Sequence, residues 1–163
     1  MRHLLPLIVL PLATAQAQQT VPFPMDPMGP PTYPGTEEYQ PDPAELDALT
    51  ELADIVLQGF PLPGVGTVDL GLERIEVDPD LFDLRVDGSP TTYDPLDQTL
   101  WKGRVAGDLF SEVQLTFASH GCYGWVKTGG ETYHVIPFLA GSAGWDQSSV
   151  RIVPDAVMRA SGA

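Results

Sequence analysis

Apolar and polar residues alternate most regularly between positions 101 and 138, where Gly103, Gly107, Gly121, Gly124, Gly129 and Gly130 punctuate the run. Period-two alternation broken by glycine is the mark of half-buried strands joined by tight turns. Val113, Leu115 and Phe117 share one face of such a strand, with Gln114 and Thr116 on the other. A two-residue turn at Gly129 and Gly130 sets Val126 opposite Tyr133, Trp125 opposite His134 and Cys122 opposite Pro137.

The pattern extends in both directions. Over 67–77, Val68, Leu70 and Leu72 lie on one parity and Ile75 and Val77 on the other, which predicts a bend near Glu73 and Arg74. A short strand at 81–86, a turn at Asp87 and Gly88, a loop over 91–98 and a last strand at 149–153 complete the β content. Only residues 43–58 read as helix. Asp42 suits the N-cap, Pro43 the first helical position, and Leu46, Leu49, Leu52, Ile55 and Val56 recur at helical spacing before Gly59 and Pro61 end the run. The expected fold is mainly β: an antiparallel sheet or sandwich-like domain over 42–163 with one N-terminal amphipathic helix.

Two N-terminal segments differ from this domain. Residues 1–17 read as a secretory signal, with Arg2 ahead of an apolar run and Ala15-Gln16-Ala17 as a cleavage site, so the product is expected to be secreted or periplasmic. Residues 18–41 carry seven prolines, at 22, 24, 27, 30, 31, 34 and 41, and read as an extended, mobile linker. No segment approaches the roughly 20 consecutive apolar residues of a membrane-spanning helix.

Charge narrows the partners. The formal net charge is −14, and the excess lies in the first half: 17 acids against two bases between Asp26 and Asp97. Such a surface repels phosphate backbones, which argues against nucleic acid and for plain solubility. The single cysteine, Cys122, cannot form an internal disulfide.

Candidate chemistry is sparse. His120, Cys122 and His134 are the residue types zinc would take, but the hairpin register puts His134 on the face opposite Cys122, so no metal or other cofactor is expected. Cys122 reads as a small buried side chain among apolar strand neighbours. The chain holds no G-x-S-x-G elbow and no H-E-x-x-H helix, and Asp78, Asp80, Asp83 and Asp87 lack the spacing of a calcium loop. No enzymatic activity is expected.

The spacing of Gly103, Val105, Gly107, Ser111, Val113, Leu115, Gly121, Gly124, Val126, Tyr133, Val135 and Pro137, preceded by the strand pattern of 60–77, resembles the pro-domain of secreted zinc metalloproteases of the ADAM/reprolysin type. The likeness covers about half of the chain, roughly 60–138. It implies a non-catalytic module that assists folding of a zinc metalloprotease domain or keeps it silent. Trp101, Tyr123 and Trp125 are the aromatic candidates for anchoring such a partner, since hot spots favour these residue types. The alternative is a secreted or cell-surface β module that binds a ligand unrelated to proteolysis.

Overall fold

The computed structural model describes residues 18–78, 85–86, 89–90, 98–118, 121–138 and 149–161. The expected signal segment, His120 and the expected Asp87-Gly88 turn lie outside them. In chain order the elements are β1 (Gln19–Pro22), β2 (Met25–Pro27), β3 (Glu37–Pro41), α1 (Pro43–Ala48), a 3-10 turn (Leu49–Glu51), β4 (Asp54–Leu62) and β5 (Gly66–Ile75). Then come β6 (Arg85–Val86), β7 (Ser89–Pro90), β8 (Gln98–Val105), β9 (Glu112–Ala118), β10 (Gly121–Thr128), β11 (Glu131–Phe138), β12 (Ser149–Pro154) and α2 (Asp155–Ser161).

Ten strands form one mixed sheet in the order β1-β4-β5-β8-β9-β10-β11-β12-β3-β2, while β6 and β7 pair separately. The architecture is therefore a single curled sheet and not a sandwich. Its two end strands, β1 and β2, are consecutive in the chain, joined by Phe23 and Pro24. The Phe23 amide donates to the Gln58 carbonyl of β4, and the Asp42 amide beyond β3 donates to the Pro24 carbonyl. The Phe23 ring meets Tyr39 of β3 and Phe60 of β4 edge-on, with centroids 5.3 and 5.2 Å apart. One bent segment thus closes the curl, parallel to β4 on one side and antiparallel to β3 on the other. Residues 18–41, expected as a mobile linker, supply three strands instead. Prolines 22, 27 and 41 stand at strand ends, where a missing N–H is least damaging.

The expected helix over 43–58 is cut short. Asp42 does cap it, its carboxylate accepting from the amides of Ala44 and Glu45, but α1 stops at Ala48 and β4 begins at Asp54. Ile55, Val56 and Leu57 are better placed as strand: Ile55 and Leu57 are fully buried on one face, and the segment pairs with β1 and β5 on its two sides. Gly59, expected as the end of a helix, sits at φ 72° where the register between β4 and β5 shifts, and its amide donates to Asp69. The bend expected near Glu73 and Arg74 is not found: β5 pairs with β8 without a break from Leu70 to Ile75, and the register shift against β4 lies opposite Asp69 instead. Leu46 and Leu49, buried at the start of this crossover, bring α1 against β9 and the 3-10 turn against β8, covering one end of the curl.

Inside, Trp101, Phe60, Phe117, Leu57, Leu70, Leu115 and Ile152 belong to one continuous core. The β10–β11 hairpin has the register expected from its glycine turn, with Val126 against Tyr133 and Trp125 against His134. Along β10 and β11 the parities separate into an inner face with Cys122, Val126, Tyr133 and Val135 and an outer face with Tyr123, Trp125 and His134, whereas Thr116 of β9 and Val153 of β12 are buried on the outer parity.

Candidate functional site

The outer face carries a row of polar and aromatic residues that are direct cross-strand neighbours. Glu73 of β5 pairs with Lys102 of β8, Lys102 with Gln114 of β9, Gln114 with Trp125 of β10, and Trp125 with His134 of β11. An acid, a base, an amide, an indole and an imidazole thus stand side by side across five strands. Neighbouring strands lie about 4.8 Å apart, so the row from Glu73 to Trp125 spans roughly 14 Å. The Lys102 ammonium is 3.5 Å from the Glu73 carboxylate. One turn of the pleat away, the Tyr123 hydroxyl donates to the Gln98 side chain at 2.8 Å.

A concave groove of about 760 Å³ runs along this row, bordered by Gln18, Glu73, Lys102, Arg104, Gln114 and Trp125. Its floor contains Gly71 and Gly103. Gly103 is forced by packing: a Cβ there would stand 1.9 Å from the Gly71 carbonyl oxygen. Gly71 is open by contrast, and a Cβ would find nothing nearer than 3.9 Å, so its missing side chain leaves free space in the groove. A volume of this size lies in the range of small-ligand sites.

Loops at one end of the curl form a second surface. Strand directions place 28–36, 63–65 and 106–111 at that end, because β2, β4 and β8 run toward it and β3, β5 and β9 run away. Met28, Tyr33, Val65, Leu109 and Phe110, five of the six exposed large apolar residues among those described, lie on these loops. Leu109 and Phe110 are the most prominent, at 76% and 95% exposure. Their loop is nevertheless firmly held. The Thr128 hydroxyl and the Phe110 amide donate to the Asp108 carboxylate at 2.6 and 3.0 Å, the Ser111 hydroxyl bridges the Asp108 carbonyl and the Val105 amide, and the Arg104 guanidinium donates to the Leu109 carbonyl. The Thr128 hydrogen bond is the chief reason the Asp108 carboxyl titrates below its ordinary value.

Of the aromatic candidates, Trp101 is corrected. It is completely buried, and its indole N–H donates to the Thr99 hydroxyl at 2.9 Å, so it packs the core and offers no surface. Tyr123 is 44% exposed and Trp125 half-buried, both on the outer face of β10. Cys122 faces the core, where burial pushes its thiol pKa up. His134 lies on the outer face, its Nε2 3.5 Å from the Asp155 carboxylate of α2. Among the described residues no three metal-ligating groups converge. Alternation assigned Glu73, Lys102 and Gln114 to strands without singling them out, because their adjacency depends on strand order across loops. Leu109 and Phe110 were legible only as an apolar pair between Asp108 and Ser111 that breaks the alternation.

No family model, curated protein or solved structure matches this chain.

Proposed function

We propose that this chain is a secreted, non-catalytic module that binds a protein partner through the apolar loops at one end of its sheet. The observation that supports this most directly is the pair Leu109 and Phe110, almost wholly exposed on a loop anchored by Asp108, Ser111 and Arg104. Large apolar side chains in water cost free energy, and a grouped set of them marks an interaction surface. Fixing the loop beforehand lowers the entropy lost on binding. The resemblance over 60–138 points to a zinc metalloprotease domain as the partner, which this module would help to fold or hold inactive.

The test is affinity capture from the medium of the producing cells, with the protein from Gln18 onward as bait and mass spectrometry as readout. The expected result is recovery of a protease bearing H-E-x-x-H, weakened about a hundredfold by the double substitution Leu109→Ser and Phe110→Ser. Undiminished capture by that variant would reject the loop end as the contact surface. Hydrolytic activity in the purified chain would reject the non-catalytic reading. A second reading, a ligand-binding β module, is favoured by the outer-face groove beside Trp125.

A further inference from the structure

The groove on the outer face has a chemistry of its own. Its charges cancel: Lys102 and Arg104 against Glu73 and Glu112. Each is also already engaged, Lys102 with Glu73 at 3.5 Å, Glu112 with Lys127 at 3.7 Å and Arg104 with the Leu109 carbonyl at 2.8 Å. In a chain of net charge −14, a neutral groove neither attracts cations as the rest of the surface does nor offers an unpaired base to an anion. What remains on offer is the indole of Trp125, the amide of Gln114, the amide oxygen and second N–H of Gln18, whose Nε2 already donates to the Ile55 carbonyl at 3.1 Å, and the spare lone pairs and N–H groups of the ion pairs. Amides donate and accept at once, and Trp couples a broad apolar face to a single N–H. A ligand complementary to that mixture is neutral, dense in hydroxyls that both donate and accept, and equipped with flat apolar C–H faces.

We propose that this groove binds a neutral glycan chain, with a sugar ring against Trp125 and its hydroxyls on Gln114, Lys102 and Glu73. The idea rests on the ligand-binding reading and is independent of the apolar loops. Roughly 14 Å from Glu73 to Trp125, the groove is long enough for a short stretch of polymer laid along the row. Gly71 matters because its empty position gives the chain access to the floor beside Gln18 and Arg104.

Affinity electrophoresis of the full chain tests this, in native gels containing soluble neutral polymers (laminarin, xyloglucan, glucomannan or hydroxyethyl cellulose), with heparin and polylysine as charged controls. The expected result is retardation by at least one neutral polymer that persists in high salt. Trp125→Ala should weaken it about tenfold, and Gly71→Leu should abolish it by filling the groove. Should Trp125→Ala fail to fold, Gly71→Leu still decides, since its Cβ meets only ordinary contacts at 3.9 and 4.0 Å. Leu109→Ser with Phe110→Ser should leave retardation intact, which separates failure here from failure at the loop end. Absence of retardation by every neutral polymer, retardation by heparin or polylysine alone, or retardation that survives Gly71→Leu would each overturn the proposal.

Discussion

Gly71 and Gly103 are near neighbours on adjacent strands, yet they tolerate opposite changes. A Cβ at Gly103 would lie 1.9 Å from the Gly71 carbonyl oxygen and 2.9 Å from the carbonyl carbon, and backbone cannot step aside as a side-chain tip can. Gly103→Ala is therefore expected to lower unfolding free energy by about 3 kcal/mol, the upper end for forcing extra volume into a packed site, whereas Gly71→Ala should be neutral or slightly stabilising. Urea titrations of the two variants check this, and equal midpoints would contradict the steric account. Asp108 gives a residue-scale prediction for pH. Hydrogen bonds from Thr128 first, then from the Phe110 backbone, favour its charged form and lower its pKa. A carboxyl whose folded pKa is depressed contributes stability that is fully present above its unfolded value, about 4, and lost as pH falls through the lower folded value. The 106–111 loop should thus stay ordered from neutrality down to about pH 4 and loosen only in stronger acid. Hydrogen exchange at the Phe110 amide measures it, and Asp108→Ala should bring the acid behaviour to neutral pH.

At the scale of elements, β3 and β12 are locked by a buried ion pair. Glu38 and Arg151 face each other in register, with side chains only 6% and 15% exposed and a guanidinium nitrogen 2.8 Å from the carboxylate. Thr32 donates to the same carboxylate through both its amide and its hydroxyl, and the Tyr33 ring lies 4.6 Å from the guanidinium, so the 28–36 loop is tied to the pair. Removing one partner strands a buried charge; Arg151→Met should cost about 3–5 kcal/mol, and adding Glu38→Met should restore much of it. A double-mutant cycle by urea unfolding decides whether the coupling exists. None of this network was readable in advance, since it joins residues more than 100 positions apart by chain number, Glu38 and Arg151. The β10–β11 hairpin was readable because Gly129 and Gly130, at φ 60° and 82°, encode the turn locally and the turn fixes the register. Residues 43–58 failed for a related reason: Ile55 to Leu57 fit helical and strand spacing equally, and pairing with β1 and β5 chose the strand. The same holds for the candidate surfaces. Trp125 was visible as an aromatic on a strand, but its row with Gln114, Lys102 and Glu73 follows from strand order, and the burial of Trp101 from the inward parity of β8.

For the whole molecule, closure of the sheet depends on a segment whose composition suggested it had no structural role. Gln18 to Pro27 covers β4 along one side and β3 along the other, and Phe23 fills the seam between Tyr39 and Phe60. An open sheet of this length would present two edges with unpaired N–H and C=O groups, which are templates for pairing with other chains. Closure removes the long edges and leaves β1 and β2, short and proline-ended, as the termini of the sheet. A chain beginning at Met28 should therefore lose the pairing of β1 with β4 and of β2 with β3. It would expose Phe60 and Tyr39, melt well below the intact protein, and show by light scattering a mass that rises with concentration. Phe23→Ala is the milder probe. It removes the edge-on rings but keeps the backbone ladder, so it should destabilise by about 2–3 kcal/mol without association. If both variants matched the intact protein in melting and mass, the seam would not be what holds the two ends of the sheet together, and the packing of Leu46 and Leu49 across the opposite end would have to account for closure alone.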